Sequence, residues 1–249
     1  MIVTLDGPAG SGKSSTAREV ARRLGFRHLD SGAFYRALTR TLLDSGLAPE
    51  DWSRLTPGQL DELGVRGVAT EDGYRLEARG ADLTGLIRSP EVNAHVSAVA
   101  ALPAVREWLL GRLREAARGT DLVTDGRDMG TVVFPQADLK FYLDASPATR
   151  AGRRLRETGH DPRQPDVLAA EIARIEARDR ADAGRTLAPL RQPADALRVD
   201  TTELAFEEQV EWIVAKVRER KSEREGRKER QQEEKRNPRA AEGERGPAQ

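Results

Sequence analysis

The chain contains no cysteine, although it is 249 residues long. Disulfide bonds, thiolate metal sites and cysteine nucleophiles are therefore excluded, and this composition is typical of a reducing compartment. No apolar run approaches the roughly 20 residues that a membrane-spanning helix needs. A strand-like run begins at Ile2 without a leader-like segment before it. The sequence thus predicts a cytoplasmic protein with no membrane segment.

A net charge is also missing, because 41 Lys and Arg residues balance 41 Asp and Glu residues. A protein that grips duplex nucleic acid through a broad basic field is expected to carry an excess of positive charge. The balance argues against that class, so any anion must be bound by local groups. The length suits one α/β domain with an insertion.

Short apolar runs, each followed by Asp and then a helical stretch, predict a parallel β-sheet. Four of them lie at residues 2–5, 122–124, 139–143 and 197–199. A fifth strand is predicted at His28–Asp30, because Gly25 is suited to end one helix and Ser31 to open the next. We therefore expect an α/β fold with a five-stranded parallel sheet flanked by helices. Further helix starts are marked by a capping residue before proline, at Thr56, Ser89 and Ser146.

Residues 65–84 interrupt the alternation of strand and helix. Val65–Ala69 and Tyr74–Ala78 flank a turn at Glu71–Gly73, which predicts a hairpin inserted between helices. Such an insert suits a lid or a small subdomain on the substrate side.

The last part of the chain has a different composition. An apolar stripe from Phe206 to Val217 predicts a final helix. Residues 218–249 contain no Val, Ile, Leu, Met or aromatic residue, and they carry 11 Lys or Arg against 8 Asp or Glu, a net charge of +3. Because this segment cannot bury enough apolar surface to offset its chain entropy, we expect a disordered or loosely helical charged tail.

The clearest motif, Gly7-Pro8-Ala9-Gly10-Ser11-Gly12-Lys13-Ser14, follows the first strand and precedes a helix. This is the context of a phosphate-binding P-loop, in which backbone N–H groups and the helix N-terminus surround an anion. Lys13 is expected to reach the β and γ phosphates of ATP, and the Ser14 hydroxyl is expected to bind Mg²⁺. ATP is thus predicted to contact residues 7–14 and Ser15, although the Ser11 and Ser15 hydroxyls alone are ordinary for a helix start.

A second strand ends in an acidic residue, Asp125. P-loop folds place a carboxylate near the metal in this way. We expect Asp125 to organise Mg²⁺ directly or through its water ligands.

Arginines and carboxylates follow the predicted strands and the long helix from Pro165, in Asp30–Arg36, Gly126–Gly130 and Arg178–Arg185. Ligands of open α/β sheets bind at the carboxyl ends of the strands, where Arg36 and Arg127 fall. Phosphoryl transfer brings two anionic phosphates together, so a cluster of cations suits a small anionic acceptor. Lys13, Arg36, Arg127 and Asp125 are the predicted catalytic residues.

These motifs together resemble the bacterial-type cytidylate kinases, P-loop nucleoside monophosphate kinases that phosphorylate CMP and dCMP with ATP. The likeness extends over residues 2–217 and depends on residues 2–16, 29–36 and 125–135, with Arg178, Asp182 and Arg185 and the segment 188–190 behind them. The resemblance implies a monomeric domain with an insert at about 48–88 in its monophosphate-binding region and a mobile lid at about 146–163. It implies ATP and CMP or dCMP as substrates, Mg²⁺ as cofactor, and no nucleic acid bound by the folded domain.

The same resemblance implies roles for the acceptor residues. Ser31, Arg36 and Arg127 would bind the acceptor phosphate, and Ser97, Arg106 and Asp128 would read the base. The sugar and phosphate side would be held by Arg178, Asp182 and Arg185.

The chemistry of cytosine is consistent with that assignment. Its N4 amino group can donate to a carboxylate such as Asp128, while its N3 and O2 atoms can accept from a guanidinium such as Arg106. Uracil would leave both protein groups mispaired.

Three alternatives remain open from the sequence. The acceptor could be UMP or another small molecule. The protein could instead be a nucleotide-driven regulator that hydrolyses ATP slowly, although no guanine-reading N-K-x-D motif is present. Finally, the charged tail could bind nucleic acid.

Overall fold

The computed structural model describes the backbone of residues 1–236 and the side chains of this range except Lys228 and residues 231–236. The strands are β1 Ile2–Asp6, β2 Arg27–Asp30, β3 Val65–Ala69, β4 Tyr74–Ala78, β5 Ala81–Asp82, β6 Leu122–Gly126, β7 Leu139–Asp144 and β8 Leu197–Asp200. The helices are α1 Lys13–Leu24, α2 Ser31–Asp44, α3 Pro57–Glu62, α4 Pro90–Val99, α5 Pro103–Ala116, α6 Pro147–Glu157, α7 Pro165–Ala183 and α8 Phe206–Arg236. A 3₁₀ turn occupies Pro49–Arg54 and a π-helical turn occupies Met129–Val133.

The predicted five-stranded parallel sheet is confirmed. Its strand order is β2-β6-β1-β7-β8, with Ile2 opposite Leu122 and Val3 opposite Leu139. The central strands are apolar because helices cover both faces, as parallel sheets require. Leu5, Val123 and Phe141 are fully buried in the core beneath α1 and α8. The P-loop motif therefore directly follows the central strand of the sheet, β1.

The helix starts that the sequence predicts are also confirmed. Thr56, Ser89 and Ser146 each accept a hydrogen bond from a backbone N–H in the first turn of α3, α4 and α6. Asp30 caps α2 by accepting from the Ala33 N–H at 2.9 Å, and Gly25 ends α1 with φ 66°. The first turn of each helix is thereby fixed by residues that the sequence itself singles out.

The predicted hairpin is present as β3 and β4, and β5 adds a third antiparallel strand. Its turn is fastened to the central sheet, because the His28 N–H at the edge of β2 donates to the Asp72 carbonyl at 3.1 Å. The small sheet also packs on α2, where Phe34 meets Tyr74 edge to face. The insert therefore lies against the helix that carries the predicted acceptor residues.

The final helix is longer than the sequence predicts. It continues beyond Val217 to Arg236, so residues 218–236 are helical, while residues 237–249 lie outside the described part of the chain. Arg220 and Arg224 both bind Asp138, and Lys221 lies 5.7 Å from the centre of the Phe26 ring. Of the two forms expected for the charged tail, disordered or loosely helical, residues 218–236 take the helical one. Composition reports the lack of apolar residues but not these charged contacts with the neighbouring domain surface.

The long helix α7 differs from the prediction in one detail. Arg178 and Asp182 lie in its last turns and do not follow it, since α7 runs to Ala183. Their side chains are therefore held by a helix instead of a loop. None of the helices among residues 1–236 is both long and apolar enough to cross a membrane.

Candidate active site

The carboxyl ends of β1, β2 and β6 open into a cavity of about 430 Å³. Most of the predicted site residues line it: Ala9, Gly10, Gly12, Lys13, Ser14, Ser15, Ser31, Arg36, Ser97, Arg106, Asp125, Arg127, Asp128, Arg178, Asp182 and Arg185. Gly7, Pro8 and Ser11 belong to the same loop but are buried and do not line the cavity. One cavity thus holds both the predicted donor residues and the predicted acceptor residues.

The P-loop curls in the way that its glycines permit. Gly10 and Gly12 have φ of 74° and 83°, in the left-handed region that favours glycine. A side chain at Gly10 would also meet the Arg150 carbonyl at 2.8 Å. The Lys13 ammonium donates to the Pro8 carbonyl at 3.1 Å, across the mouth of the loop. This geometry would surround a bound anion with backbone donors and one cation.

Lys13 is a buried cation beside other cations. Burial, together with the charge of Arg127, lowers the pKa of Lys13 to about 7. An anion placed in the loop would favour the charged form of the amine and raise this pKa. Bound phosphate should therefore stabilise the site by favouring the charged form of Lys13.

Asp125 connects the P-loop to β2. One carboxylate oxygen accepts from the Ser14 hydroxyl, and the other lies 2.8 Å from His28 Nε2. Burial would raise the pKa of Asp125, but the hydrogen bonds of His28 and Ser14 and the charge of Lys13 outweigh it and hold the pKa below its ordinary value. An ionised carboxylate beside a hydroxyl offers the oxygen ligands that Mg²⁺ prefers.

A dedicated protein cage for a metal is not found in residues 1–236, where no three His, Asp or Glu side chains cluster suitably. Mg²⁺ in kinases usually takes only one or two protein ligands and completes its shell with water and substrate phosphates. The pair of Ser14 and Asp125 fits that requirement.

At the other end of the cavity, Arg106 and Asp128 form a buried ion pair. Arg106 also donates to the Ala100 carbonyl at 3.1 Å, and its guanidinium lies over the Tyr35 ring. Burial raises the pKa of Asp128 against the lowering effect of Arg106 and Arg185. A carboxylate and a guanidinium fork side by side can complement a base edge with a donor next to acceptors.

A second carboxylate holds two arginines at the centre of the cavity. Asp182 accepts from Arg127 Nε at 2.9 Å and from Arg185 at 2.5 Å. Burial would raise the pKa of Asp182, yet the charges of Arg127, Arg185 and Arg178 keep it low. Arg178 Nε is buried and has no hydrogen-bond partner among residues 1–236. Burial lowers the pKa of Arg178 to about 9, which leaves it charged near neutral pH.

Arg36 and Ser31 come from the first turns of α2. The Ser31 hydroxyl donates to the Asp125 carbonyl at 2.7 Å, which ties α2 to the end of β6. The Arg36 guanidinium donates to the Asn93 side-chain oxygen at 2.5 Å. Burial and the neighbouring Arg88 lower the pKa of Arg36 to about 10.

The P-loop is also bonded to α6 and α7. The Ala9 N–H donates to Asp179 at 2.9 Å, and Arg150 donates to the Ala9 carbonyl at 2.9 Å while forming an ion pair with Asp179. These contacts connect the phosphate cradle to the arginine-rich helix that the sequence predicts as a lid.

Several residues around the cavity are not found by sequence reasoning. His28 contacts Asp125, Asn93 contacts Arg36, and Arg88 and Tyr35 line the cavity itself. Tyr35 lies within a motif that the sequence does single out. His28 and Asn93 belong to no sequence pattern that indicates a functional role. Only the three-dimensional structure shows which charged group each of them contacts.

Comparison with known proteins gives a consistent result. The sequence profile of the family described as Cytidylate kinase matches residues 3–219. A Cytidylate kinase of Thermus thermophilus is 45% identical over 218 residues, which cover 87% of this chain and 98% of the relative. One of Vibrio parahaemolyticus is 43% identical, covering 84% of this chain and 92% of the relative. One of Caldanaerobacter subterraneus subsp. tengcongensis is 40% identical, covering 87% and 94%.

Proposed function

The chain belongs to the cytidylate kinase family, and from this premise we infer that its cavity transfers the γ-phosphoryl group of ATP to CMP or dCMP. The products are ADP and CDP or dCDP. The family resemblance predicted from the motifs is thereby confirmed.

ATP would bind at the P-loop. Its β and γ phosphates would occupy the loop formed by Gly10, Gly12 and Lys13, where backbone donors and the start of α1 face the cavity. Lys13 would then turn from the Pro8 carbonyl to the phosphates. Because its charge can follow the moving phosphoryl group, Lys13 stabilises the transition state more than the ground state.

Kinases of this kind use a divalent metal, and we propose Mg²⁺. The Ser14 hydroxyl and the Asp125 carboxylate would hold it, the latter directly or through water. When bound, the ion neutralises charge on the transferring phosphates. His28 keeps the Asp125 carboxylate oriented toward Ser14.

The acceptor nucleotide would lie across the arginines. Its phosphate would lie near Ser31, Arg36 and Arg127, with Arg178 supplying an unpaired N–H in the same space. Asp182 and Arg185 would hold the sugar side, as the family resemblance implies. No general base is required, since the attacking phosphate oxygen is already anionic, and positioning together with charge neutralisation accounts for the rate.

The base would lie against Arg106 and Asp128, which line the cavity together with Ser97. The N4 amino group of cytosine would donate to Asp128, and Arg106 would donate to the acceptor edge. Uracil presents the reverse pattern and would leave two buried groups mispaired.

Two segments are proposed to move during turnover. The insert at about 48–88 would close over the acceptor, and the segment at about 146–163 would close over ATP. Arg150 bonds the second segment to the P-loop at Ala9, so binding at the loop has a direct path to it.

The observation that carries this proposal is the buried pair Arg106–Asp128 in the same cavity as the P-loop. The test is a coupled assay of ADP release with CMP, dCMP, UMP, AMP and GMP as acceptors. We expect CMP or dCMP to give the highest kcat/KM. Equal rates with all five, or ADP release that needs no acceptor, would contradict the proposal.

A further inference from the structure

Three arginines of the acceptor site are held by carboxylates. Arg106 is paired with Asp128, while Arg127 and Arg185 share Asp182. Arg36 differs, because its hydrogen-bond partner among the described residues is the neutral side chain of Asn93. The nearby Asp30 is instead bonded to Arg88 at 3.1 Å.

A neutral partner has a specific electrostatic consequence. A carboxylate orients a guanidinium and also cancels its charge, whereas an amide oxygen orients it and leaves the charge available. Arg36 lies on the cavity wall, is partly buried and is hydrogen-bonded to Asn93, so its conformational freedom is already restricted. The guanidinium is thus held ready for an anion that comes from solution.

Asn93 uses both ends of its amide. Its oxygen accepts from Arg36 at 2.5 Å, and its nitrogen donates to the Arg88 carbonyl at 3.0 Å. Arg88 also lines the cavity, in the loop just before α4. A single side chain on α4 therefore joins the arginine on α2 to the loop that carries a further arginine.

We propose that Asn93 is a positioning residue for the acceptor phosphate, which fixes Arg36 without neutralising it. This inference rests on the proposed function only in taking the acceptor to be a phosphomonoester. It assigns Asn93 no contact with substrate, so its effect passes through the residues that it holds, chiefly Arg36.

The decisive change is Asn93→Asp, which keeps the shape of the side chain and its oxygen but places a negative charge against Arg36. The carboxylate binds the Arg36 guanidinium more strongly than the amide does, but it cannot donate to the Arg88 carbonyl, so the two changes oppose each other in the free energy of unfolding. The Kd and KM of the variant for CMP should rise about tenfold, which corresponds to roughly 1.4 kcal/mol. The Kd for cytidine, which lacks the phosphate, and the KM for ATP should stay within about twofold of the original values.

A second change, Asn93→Ala, removes the orientation without adding charge. Loss of one such hydrogen bond should raise the Kd for CMP about threefold to tenfold and leave cytidine binding unaltered. The matched control is Ala94→Asp, which adds the same charge to an exposed neighbouring position of α4 and should leave all four constants unchanged.

The measurements are calorimetric titrations with CMP and cytidine, steady-state KM values, and thermal unfolding. Equal weakening of CMP and cytidine in either Asn93 variant would overturn the proposal, since a structural role predicts that result. An unaltered Kd for CMP in Asn93→Asp, or the same loss in the control, would also overturn it. If the acceptor panel identifies another nucleoside monophosphate, the proposed function fails, while the same comparison of that monophosphate with its nucleoside still decides the role of Asn93.

Discussion

The donor end and the acceptor end of the cavity bind phosphate by different means. The donor end is one continuous segment, in which glycines expose backbone N–H groups and the buried Lys13 supplies the charge. The acceptor end is assembled from α2, α4, α5, β6 and α7, and its guanidiniums are held by partners such as Asp128 and Asp182. A continuous loop of backbone donors suits the phosphates of ATP, which are the same whatever the acceptor is. A site assembled from several elements can be altered one side chain at a time, and with it the acceptor that is bound. The comparison indicates that rate depends most on the first end and substrate choice on the second.

The largest effect should follow from removing the charge at the donor end. Lys13→Ala should lower kcat by about 10²–10³-fold for every acceptor, as loss of one transition-state-stabilising group does elsewhere. The fold should survive, because a buried amine with a lowered pKa contributes little to stability. Arg22→Ala is the control, since Arg22 is an exposed cation of the same helix. Near-normal turnover would contradict the assignment of the cradle.

The next largest effect should appear at the acceptor end, as a changed preference between CMP and UMP. Asp128→Ala should lower kcat/KM for CMP more than for UMP and narrow their ratio by about tenfold to a hundredfold, the value of a hydrogen bond to a charged group. Asp128→Asn should shift the preference further toward UMP, because its amide can donate to a uracil carbonyl. Equal proportional losses for both nucleotides would assign Asp128 to the metal or to structure. They would also contradict the inference that the acceptor end determines substrate choice.

A smaller difference should appear in the number of protons taken up when each substrate binds. The pKa of Lys13 is lowered to about 7, so part of the amine is neutral near pH 7, and bound phosphate should return it to the charged form. ATP binding should therefore take up protons, and its affinity should fall as the pH rises through about 7. The pKa values of Arg36 and Arg178, about 10 and 9, leave these acceptor cations charged near neutral pH, so CMP binding should take up fewer protons than ATP binding.

This difference is measured by calorimetry in buffers of different ionisation enthalpy. The uptake with ATP should be absent in Lys13→Ala. Uptake that persists in this variant would show that another group titrates at the donor end.

The smallest effect is expected far from both ends, at the extension of α8. Removing residues 225–249 should change neither stability nor activity. Removing residues 218–249 also deletes the contacts of Arg220, Arg224 and Lys221, and should cost about 1 kcal/mol, or roughly 2–4 °C in Tm. Kinase activity should remain unchanged in both cases. Loss of activity with either substrate would show that the two ends of the cavity are not independent of this helix.

Much of the fold follows from local patterns in the sequence. Ser89 before Pro90 starts a helix, and apolar residues 2–5 form a central strand, because these preferences act within a few residues. The length of α8 does not follow in the same way, since Arg220 is held by Asp138, which is 82 residues away along the chain.

The same distinction applies to the site. The cradle can be recognised because all its parts are adjacent in the sequence. The acceptor residues are suggested by the family resemblance and by strand ends, but their partners are not. That Arg36 meets an amide while Arg106 meets a carboxylate depends on how α2, α4 and α5 pack, which no local pattern records.

The hydrogen bond between the turn of the insert and strand β2 also bears on the tendency of the protein to aggregate. β2 is an edge strand of the central sheet, and an uncovered edge is a template for pairing with other chains. The turn of the insert covers it, because the outward N–H of His28 is bonded to Asp72 and the carbonyl of His28 lies against Gly73. A side chain at Gly73 would stand 2.8 Å from that carbonyl and push the turn away. The hairpin therefore also protects the domain from aggregation through this edge, whatever it does for the substrate.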